Sequence, residues 1–251
     1  MSRPPGRVAL VTGASRGIGA AIARLFGESG FSVVVNYHRM KDKAEEVVAH
    51  IQASGSRATA VCADVRDPVR VEAMIQSAVN EYGSIDVLVN NAGGDLLYKP
   101  FGDFAWDDFQ RLIDVQVRGA VQCCRVVLPF MEQKGRGSII NIISTVALGN
   151  APAKMSPYVT VKAAMIGFSK ALASEYAPKG IRVNMISPGF TETDLVAGLP
   201  GRMKEILAAQ NPMKRLGRPQ DCAQAALFLA TDGSEFISGA NLVVSGGQVV
   251  V

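Results

Sequence analysis

Short apolar runs rich in Val, Ile and Leu alternate along the chain with longer stretches whose apolar positions recur at helical spacing. The runs predict strands at Val8–Val11, Phe31–Asn36, Ala58–Cys62, Val87–Val89, Ser138–Ile143, Arg182–Ile186 and Leu242–Val244. Several are continuously apolar, as strands buried on both faces are. The stretches between them predict helices at Gly17–Ser29, closed by Gly30, and at Lys41–Ser54. A third helix begins at Asp67-Pro68, where the carboxylate can cap and the proline suits the first turn. A long helical pattern runs from Trp106 to Lys134 with an interruption at Pro129. Another helix opens with Ser156 as cap and Pro157 in its first turn, and a last one runs from Gly217-Arg218-Pro219 to about Ala230. This alternation predicts βαβ units and a parallel sheet with helices on both faces.

The stretch Val8–Ala21, VALVTGASRGIGAA, joins the first strand to the first helix. Gly13 permits a sharp turn, Gly17 a close approach to a bulky anion, and Gly19 tight packing of the helix on the sheet. Unpaired N–H groups and the positive end of the helix dipole then face a pyrophosphate, and Ser15, Arg16 and Ile18 line the same cradle. An NAD site wants an acidic residue at the end of the second strand, and none occurs before Asp42. Arg16, His38 and Arg39 instead offer cationic donors for a 2′-phosphate, so NADP(H) is the expected cofactor.

Composition narrows the classes. The chain has 251 residues, 48% hydrophobic and 19% charged, enough for one large α/β domain. Its formal charge of +4 comes without a dense Lys/Arg block, which gives no sign of nucleic-acid binding. Four cysteines without a Cys-x-x-Cys pair point to reduced thiols and a cytoplasmic protein. The first residues hold no apolar signal core, and no stretch is apolar enough to span a membrane. Two histidines with no carboxylate cluster beside them make a catalytic metal an unpromising expectation.

The remaining chemistry lies in the order of four further motifs. Asn90-Asn91-Ala92-Gly93 follows the fourth strand, and Ser144 ends the fifth. Tyr158 comes fourteen residues later with Lys162 at i+4 on the same helix face, and Pro188-Gly189 follows the sixth strand. With Thr12 and the glycine turn, this order resembles the short-chain dehydrogenase/reductase family over nearly the whole chain, closest in pattern to its 3-oxoacyl-[acyl-carrier-protein] reductases. The resemblance implies hydride transfer between a nicotinamide and a carbonyl or secondary alcohol. It implies Tyr158 as proton donor, Ser144 as partner of the carbonyl oxygen, and Lys162 as the cation that makes the phenol acidic and bonds the ribose. Lowering a tyrosine by roughly 3 pKa units takes about 4 kcal/mol, which one cation at about 4 Å supplies at an effective dielectric of about 20.

Asp64-Val65 would then meet the adenine. Asn91, Ala92 and Gly93 would lie by the ribose while Asn90 ties strands together. Pro188, Gly189 and Thr191 would pass the nicotinamide. Gln116 stands where the family usually has Asn, whose side chain holds a proton-relaying water, so a shifted or weakened relay is expected. The segment Glu192–Asn211, with Gly198, Pro200, Gly201 and the apolar Met203, Ile206 and Leu207, is read as a substrate lid. The expectation is thus a single doubly wound Rossmann-like domain over residues 1–251, with seven mainly parallel strands in the order 3-2-1-4-5-6-7. A 3-oxoacyl thioester is the first substrate, with Lys179 and Arg136 placed for an acyl carrier protein. A free small-molecule ketone is the alternative, and a weakly active NADP(H)-binding sensor or scaffold the non-enzymatic one. The resemblance implies a dimer built on the helix over Trp106–Lys134 and a tetramer packed through the last strand, and the apolar Val249–Val251 tail suits such a subunit contact, so a homotetramer or homodimer is expected.

Overall fold

The strands of the computed structural model, which describes residues 6–93, 96–149, 151–193 and 200–250, are β1 (Val8–Val11), β2 (Ser32–Tyr37), β3 (Ala58–Cys62), β4 (Val87–Asn90), β5 (Gly137–Ile142), β6 (Ile181–Pro188) and β7 (Asn241–Val244). They form one sheet in the order β3-β2-β1-β4-β5-β6-β7 with every neighbouring pair parallel. The expected order is therefore observed, and the sheet is parallel throughout. The helices are α1 (Gly17–Glu28), α2 (Lys41–Ala53), α3 (Pro68–Tyr82), α4 (Trp106–Leu112), α5 (Gly119–Lys134), α6 (Ser156–Tyr176), α7 (Gly201–Gln210) and α8 (Pro219–Ala230).

Strand residues alternate between two cores, one on each face. Ala9 and Val11 of β1 join Val33 and Val35 in a cluster closed by Ile22 and Phe26 of α1, Val47 and Ile51 of α2, and Ala226 and Leu229 of α8. Leu10 and Val34 face the other way, against Val71 and Ile75 of α3 and Val127 and Met131 of α5. Each buried Val, Leu, Ile, Phe or Met side chain here contributes about 1.5–3 kcal/mol, so both faces hold the sheet between helix layers. Because all strands run one way, their carboxyl ends share one edge. The connections diverge there between β1 and β4, opening the crevice in which α/β sheets bind ligands.

Two local expectations need correction. The break in the long helical pattern is not at Pro129, which lies inside α5. Pro129 and Arg125, one turn earlier, are both exposed, so the carbonyl left without a partner faces water. The break is instead a π-helical turn at Ile113–Arg118, which inserts an extra residue and buries Gln116. Ser156 does not cap α6 either: it is the first helical residue, after Met155, and its buried Oγ has no partner. Asp67 does cap α3, accepting from the N–H groups of Val69 and Arg70, with Pro68 in the first turn. Among the described residues no helix is long and apolar enough to cross a membrane.

Candidate active site

The glycine turn sits at the carboxyl end of β1 as a cradle held from three sides. Gly13 (φ +61°) and Gly17 (φ +57°) adopt the left-handed conformation that glycine accepts without strain. A Cβ on Gly13 would stand 2.9 Å from Ala92 Cα, and one on Gly19 would stand 2.7 Å from the Gly13 carbonyl oxygen. Thr12 Oγ1 accepts from the N–H groups of Asn91 and Ala92, both at 3.0 Å, while Asn91 Nδ2 donates to the carbonyls of Thr12 (2.9 Å) and Gly13 (3.1 Å). The run after β4 therefore shapes the turn itself. No side chain caps α1, whose first residue follows the extended Arg16, so Gly17, Ile18 and Gly19 present the helix N-terminus to an anion. A nicotinamide dinucleotide's pyrophosphate fits that donor set, with Ser15 and Arg16 beside it.

Sequence reasoning missed Asn36. Its Oδ1 accepts from the Gly13 N–H (3.1 Å), its carbonyl from the Ala14 N–H (2.8 Å), and its Nδ2 donates to the Ala63 carbonyl (3.0 Å). One buried amide thus ties the turn to the ends of β2 and β3. A polar residue at the end of an apolar strand was the available signal. Beyond β2, His38 and Arg39 are exposed. His38 Nε2 lies 3.6 Å from Asp64 Oδ2, and Arg66 forks onto both Asp64 oxygens. The Arg66 guanidinium holds the Asp64 carboxyl below its usual range. Asp64 thus already carries a partner two residues along the chain, and the buried Val65 packs under Gly119. Gly93 lies exposed past Ala92.

Ser144, Tyr158 and Lys162 converge at the carboxyl end of β5. Ser144 is extended (φ −175°) and buried where the strand gives out, its hydroxyl accepts from the Val146 N–H at 3.4 Å, and it lies close enough to Tyr158 to favour the phenolate. Lys162, one turn along α6 from Tyr158, donates from Nζ to the Ile142 carbonyl at 2.9 Å. The same Nζ lies 5.5 Å from the centre of the Tyr158 ring. Burial lowers the Lys162 ammonium to about 7. Burial also raises the Tyr158 phenol above its ordinary value, with the Ser144 hydrogen bond the opposing influence. In both groups burial favours the neutral form, the direction opposite to the expected acidification of the phenol.

Behind this group, Gln116 is 4% exposed and neither its Oε1 nor its Nε2 has a hydrogen-bond partner. It lines a cavity of about 10 Å³ with Thr12, Asn90, Ile142 and Lys162. Asn90 Nδ2 donates to Asn141 Oδ1 at 2.8 Å, which ties β4 to β5 as expected, while Asn90 Oδ1 is unpartnered. Asn141 passes the chain of amides on to Ser169 Oγ at 2.8 Å.

Pro188 ends β6, paired with Val244, instead of following the strand, and Gly189 packs on Ser245. Thr191 is buried and its hydroxyl donates to the Gly189 carbonyl at 3.0 Å, which engages it within its own turn. Thr193 is the threonine that reaches the cradle: its Cγ2 is 3.5 Å from where a Gly17 Cβ would be. The lid segment is described only in part, since Gly198 and the rest of 194–199 lie outside the described residues. Its helix, α7, buries no residue, and Met203 and Ile206 are exposed. Lys179 and Arg136 precede β6 and β5, at the opposite edge of the sheet from Tyr158; Lys179 bonds Glu132 at 3.0 Å and Arg136 lies 3.7 Å from Asp86. Val251 of the apolar tail lies outside the described residues.

A family model described as Enoyl-(Acyl carrier protein) reductase matches residues 13–248. The chain belongs to the short-chain dehydrogenase/reductase family, oxidoreductases acting on CH–OH and C=O groups with a nicotinamide cofactor. It is 42% identical over 242 residues to a 3-oxoacyl-[acyl-carrier-protein] reductase of Staphylococcus aureus, covering 96% of this chain and 97% of that one. The crystal structure of 3-ketoacyl-(acyl-carrier-protein) reductase from Brucella melitensis complexed with NADH matches with a TM-score of 0.91 at 34% identity, covering 98% of this chain and 99% of that chain. Gluconate 5-dehydrogenase from Burkholderia cenocepacia, in complex with NADP and tartrate, matches with a TM-score of 0.90 at 34% identity, covering 98% and 96%.

Proposed function

We propose that this protein is an NADP(H)-dependent reductase of 3-oxoacyl thioesters. Ser144 binds the carbonyl oxygen, Tyr158 supplies the proton, and Lys162 stabilises the phenolate that remains. The observation that carries this reading is the convergence of the three side chains beside the glycine cradle, with Lys162 Nζ anchored on the Ile142 carbonyl. The nicotinamide, when bound, supplies the hydride; the protein's part is to hold the acceptor and move the proton. Burial keeps Tyr158 protonated at neutral pH, which is the form that can donate to a developing alkoxide. A charge 5.5 Å from the ring stabilises the phenolate by roughly 3 kcal/mol at an effective dielectric of about 20. That is about two pKa units, enough to make proton return easy without holding the phenol ionised at rest.

Gln116 serves the same step from behind. A cavity of about 10 Å³ is just large enough for one water, and its polar lining supplies the partners a water needs. One water there bonds Lys162, an unpaired Gln116 atom and Asn90 Oδ1, and passes a proton on to Lys162. NADP(H) over NAD(H) rests on the end of β2, where Arg39 is exposed with no described partner and Asp64 is already held by Arg66. A free ketone remains a second reading, favoured by the exposed apolar side of α7, which suits a greasy substrate without a carrier. For the assembly we favour a homotetramer or homodimer, because Phe236 is fully exposed, Val250 largely exposed and Phe228 partly exposed. A cytoplasmic setting accords with thiols at Cys123, Cys124 and Cys222 that burial pushes far above their ordinary value. Following NADPH consumption across 3-oxoacyl thioesters, quinones and cyclic ketones tests the assignment. Preference for the thioesters supports it, and turnover confined to another class replaces it.

A further inference from the structure

We propose that Lys154 is a specificity-determining residue that reads an anionic group carried by the substrate away from its carbonyl. This rests on the assignment of Tyr158 as the proton donor. Lys154 lies in the connection from β5 to α6, four residues before Tyr158, and is exposed. Its φ is +66°, a left-handed conformation that a residue with a Cβ adopts only under constraint. Among the described non-glycine residues only Lys214 shares that conformation, and its Nζ is engaged by the Ala209 carbonyl at 2.9 Å.

The Lys154 ammonium differs. It bonds no carboxylate among the described residues and rests over the Tyr98 ring, 5.5 Å from its centre. Its carbonyl accepts from the Lys99 N–H at 3.2 Å, which joins the two connections leaving the sheet's carboxyl edge after β4 and β5. The neighbouring Lys99 is neutralised by Asp108, 2.7 Å away, and Arg111 shares the same carboxylate. Among the described residues Lys154 thus makes no ion pair, while Lys99 and Arg111 share one carboxylate. Tyr98, 66% exposed, and Phe101, also exposed, add apolar surface around it. Strain, position and unmatched charge together fit a ketone with an apolar middle and a carboxylate or phosphate at its far end. The phosphate of a pantetheine arm and the carboxylate of a free keto acid share that chemistry.

Two matched pairs separate these sources. Acetoacetyl-CoA carries phosphates that its N-acetylcysteamine thioester lacks, and 4-oxocyclohexanecarboxylate carries a charge that 4-methylcyclohexanone lacks. The quantity read is the ratio of kcat/KM between the charged and neutral member of each pair. In Lys154→Gln the ratio is expected to fall about tenfold for at least one pair, about 1.4 kcal/mol, and Lys154→Arg is expected to restore it. A fall in the thioester pair alone assigns a phosphate, and a fall in the cyclohexanone pair alone a carboxylate. Ratios within twofold of wild type in both pairs overturn the proposal. If the wild type reduces no ketone, the functional assignment itself fails. Calorimetric binding of cyclohexanecarboxylate against cyclohexylmethanol, with NADP⁺ present, then decides the role of Lys154: loss of the carboxylate preference in Lys154→Gln supports it, and equal binding contradicts it.

Discussion

Replacing Lys162 by methionine should stabilise the ligand-free protein in acid and leave it little changed in alkali. Lys162 is 7% exposed, and burial brings its ammonium from 10.5 down to about 7. That displacement corresponds to roughly 5 kcal/mol of preference for the neutral amine in the folded state. The unfolded chain keeps its proton up to about pH 10.5, so between pH 7 and that value it binds more protons than the folded chain. Wild-type stability must then rise with pH across this window, by about 1.4 kcal/mol per unit from this one group. Methionine has no such dependence. At pH 6 the wild type bears the whole penalty, offset by about 1.5–3 kcal/mol from the charge-assisted bond to the Ile142 carbonyl. The variant should therefore be about 2–3 kcal/mol more stable at pH 6, with the advantage gone or reversed by pH 9.5. Urea unfolding of both proteins, without cofactor and at one protomer concentration, measures this across pH 6 to 9.5. An advantage that does not change with pH, or one that grows as pH rises, would refute the burial of an ammonium at this place. The same variant should lose ketone reduction, so stability and turnover would move in opposite directions.

Three further outcomes are expected. Arg39→Ala should weaken NADPH binding about 10- to 100-fold while NADH binding moves less than threefold, read by quenching of protein fluorescence; equal losses would remove the phosphate contact. Gln116→Asn should keep or raise kcat, because it retains the carboxamide in the relay; a fall beyond tenfold would show that the longer side chain has its own task. Asn36→Ala leaves the Gly13 N–H and the Ala63 carbonyl without their side-chain partner, so it should cost about 1–3 kcal/mol in urea unfolding and weaken both cofactors alike. A loss restricted to NADPH would instead place Asn36 at the 2′-phosphate.

The sheet was legible in the sequence because each strand is a short apolar run bounded by turn residues, and the strands all fell within a residue or two of their expected limits. The Ser144–Tyr158–Lys162 group was legible through the order of motifs shared with the family; i+4 spacing then puts Tyr158 and Lys162 on one helix face. What escaped depended on contacts between distant segments. Asn36 makes its bonds across strands and loops, to Gly13 and Ala63, which no local pattern encodes. Thr191 and Thr193 are two residues apart and chemically alike, and only the fold of the turn after β6 decides which faces Gly17. The π-helical turn at Ile113–Arg118 was masked by Pro129, the more obvious helix breaker. The direction in which burial moves the Tyr158 phenol and the Lys162 ammonium was not legible, because spacing shows proximity but not burial.

The central claim is that the Tyr158 phenol gives its proton to a carbonyl held by Ser144. The direct measurement is single-turnover reduction of acetoacetyl-CoA by the NADPH-loaded Tyr158→Phe variant, with NADPH binding measured on the same sample. The account predicts NADPH affinity within about threefold of wild type and a reduction rate at least about 10²-fold lower. Reduction at the wild-type rate in a variant without the phenolic hydroxyl would contradict it.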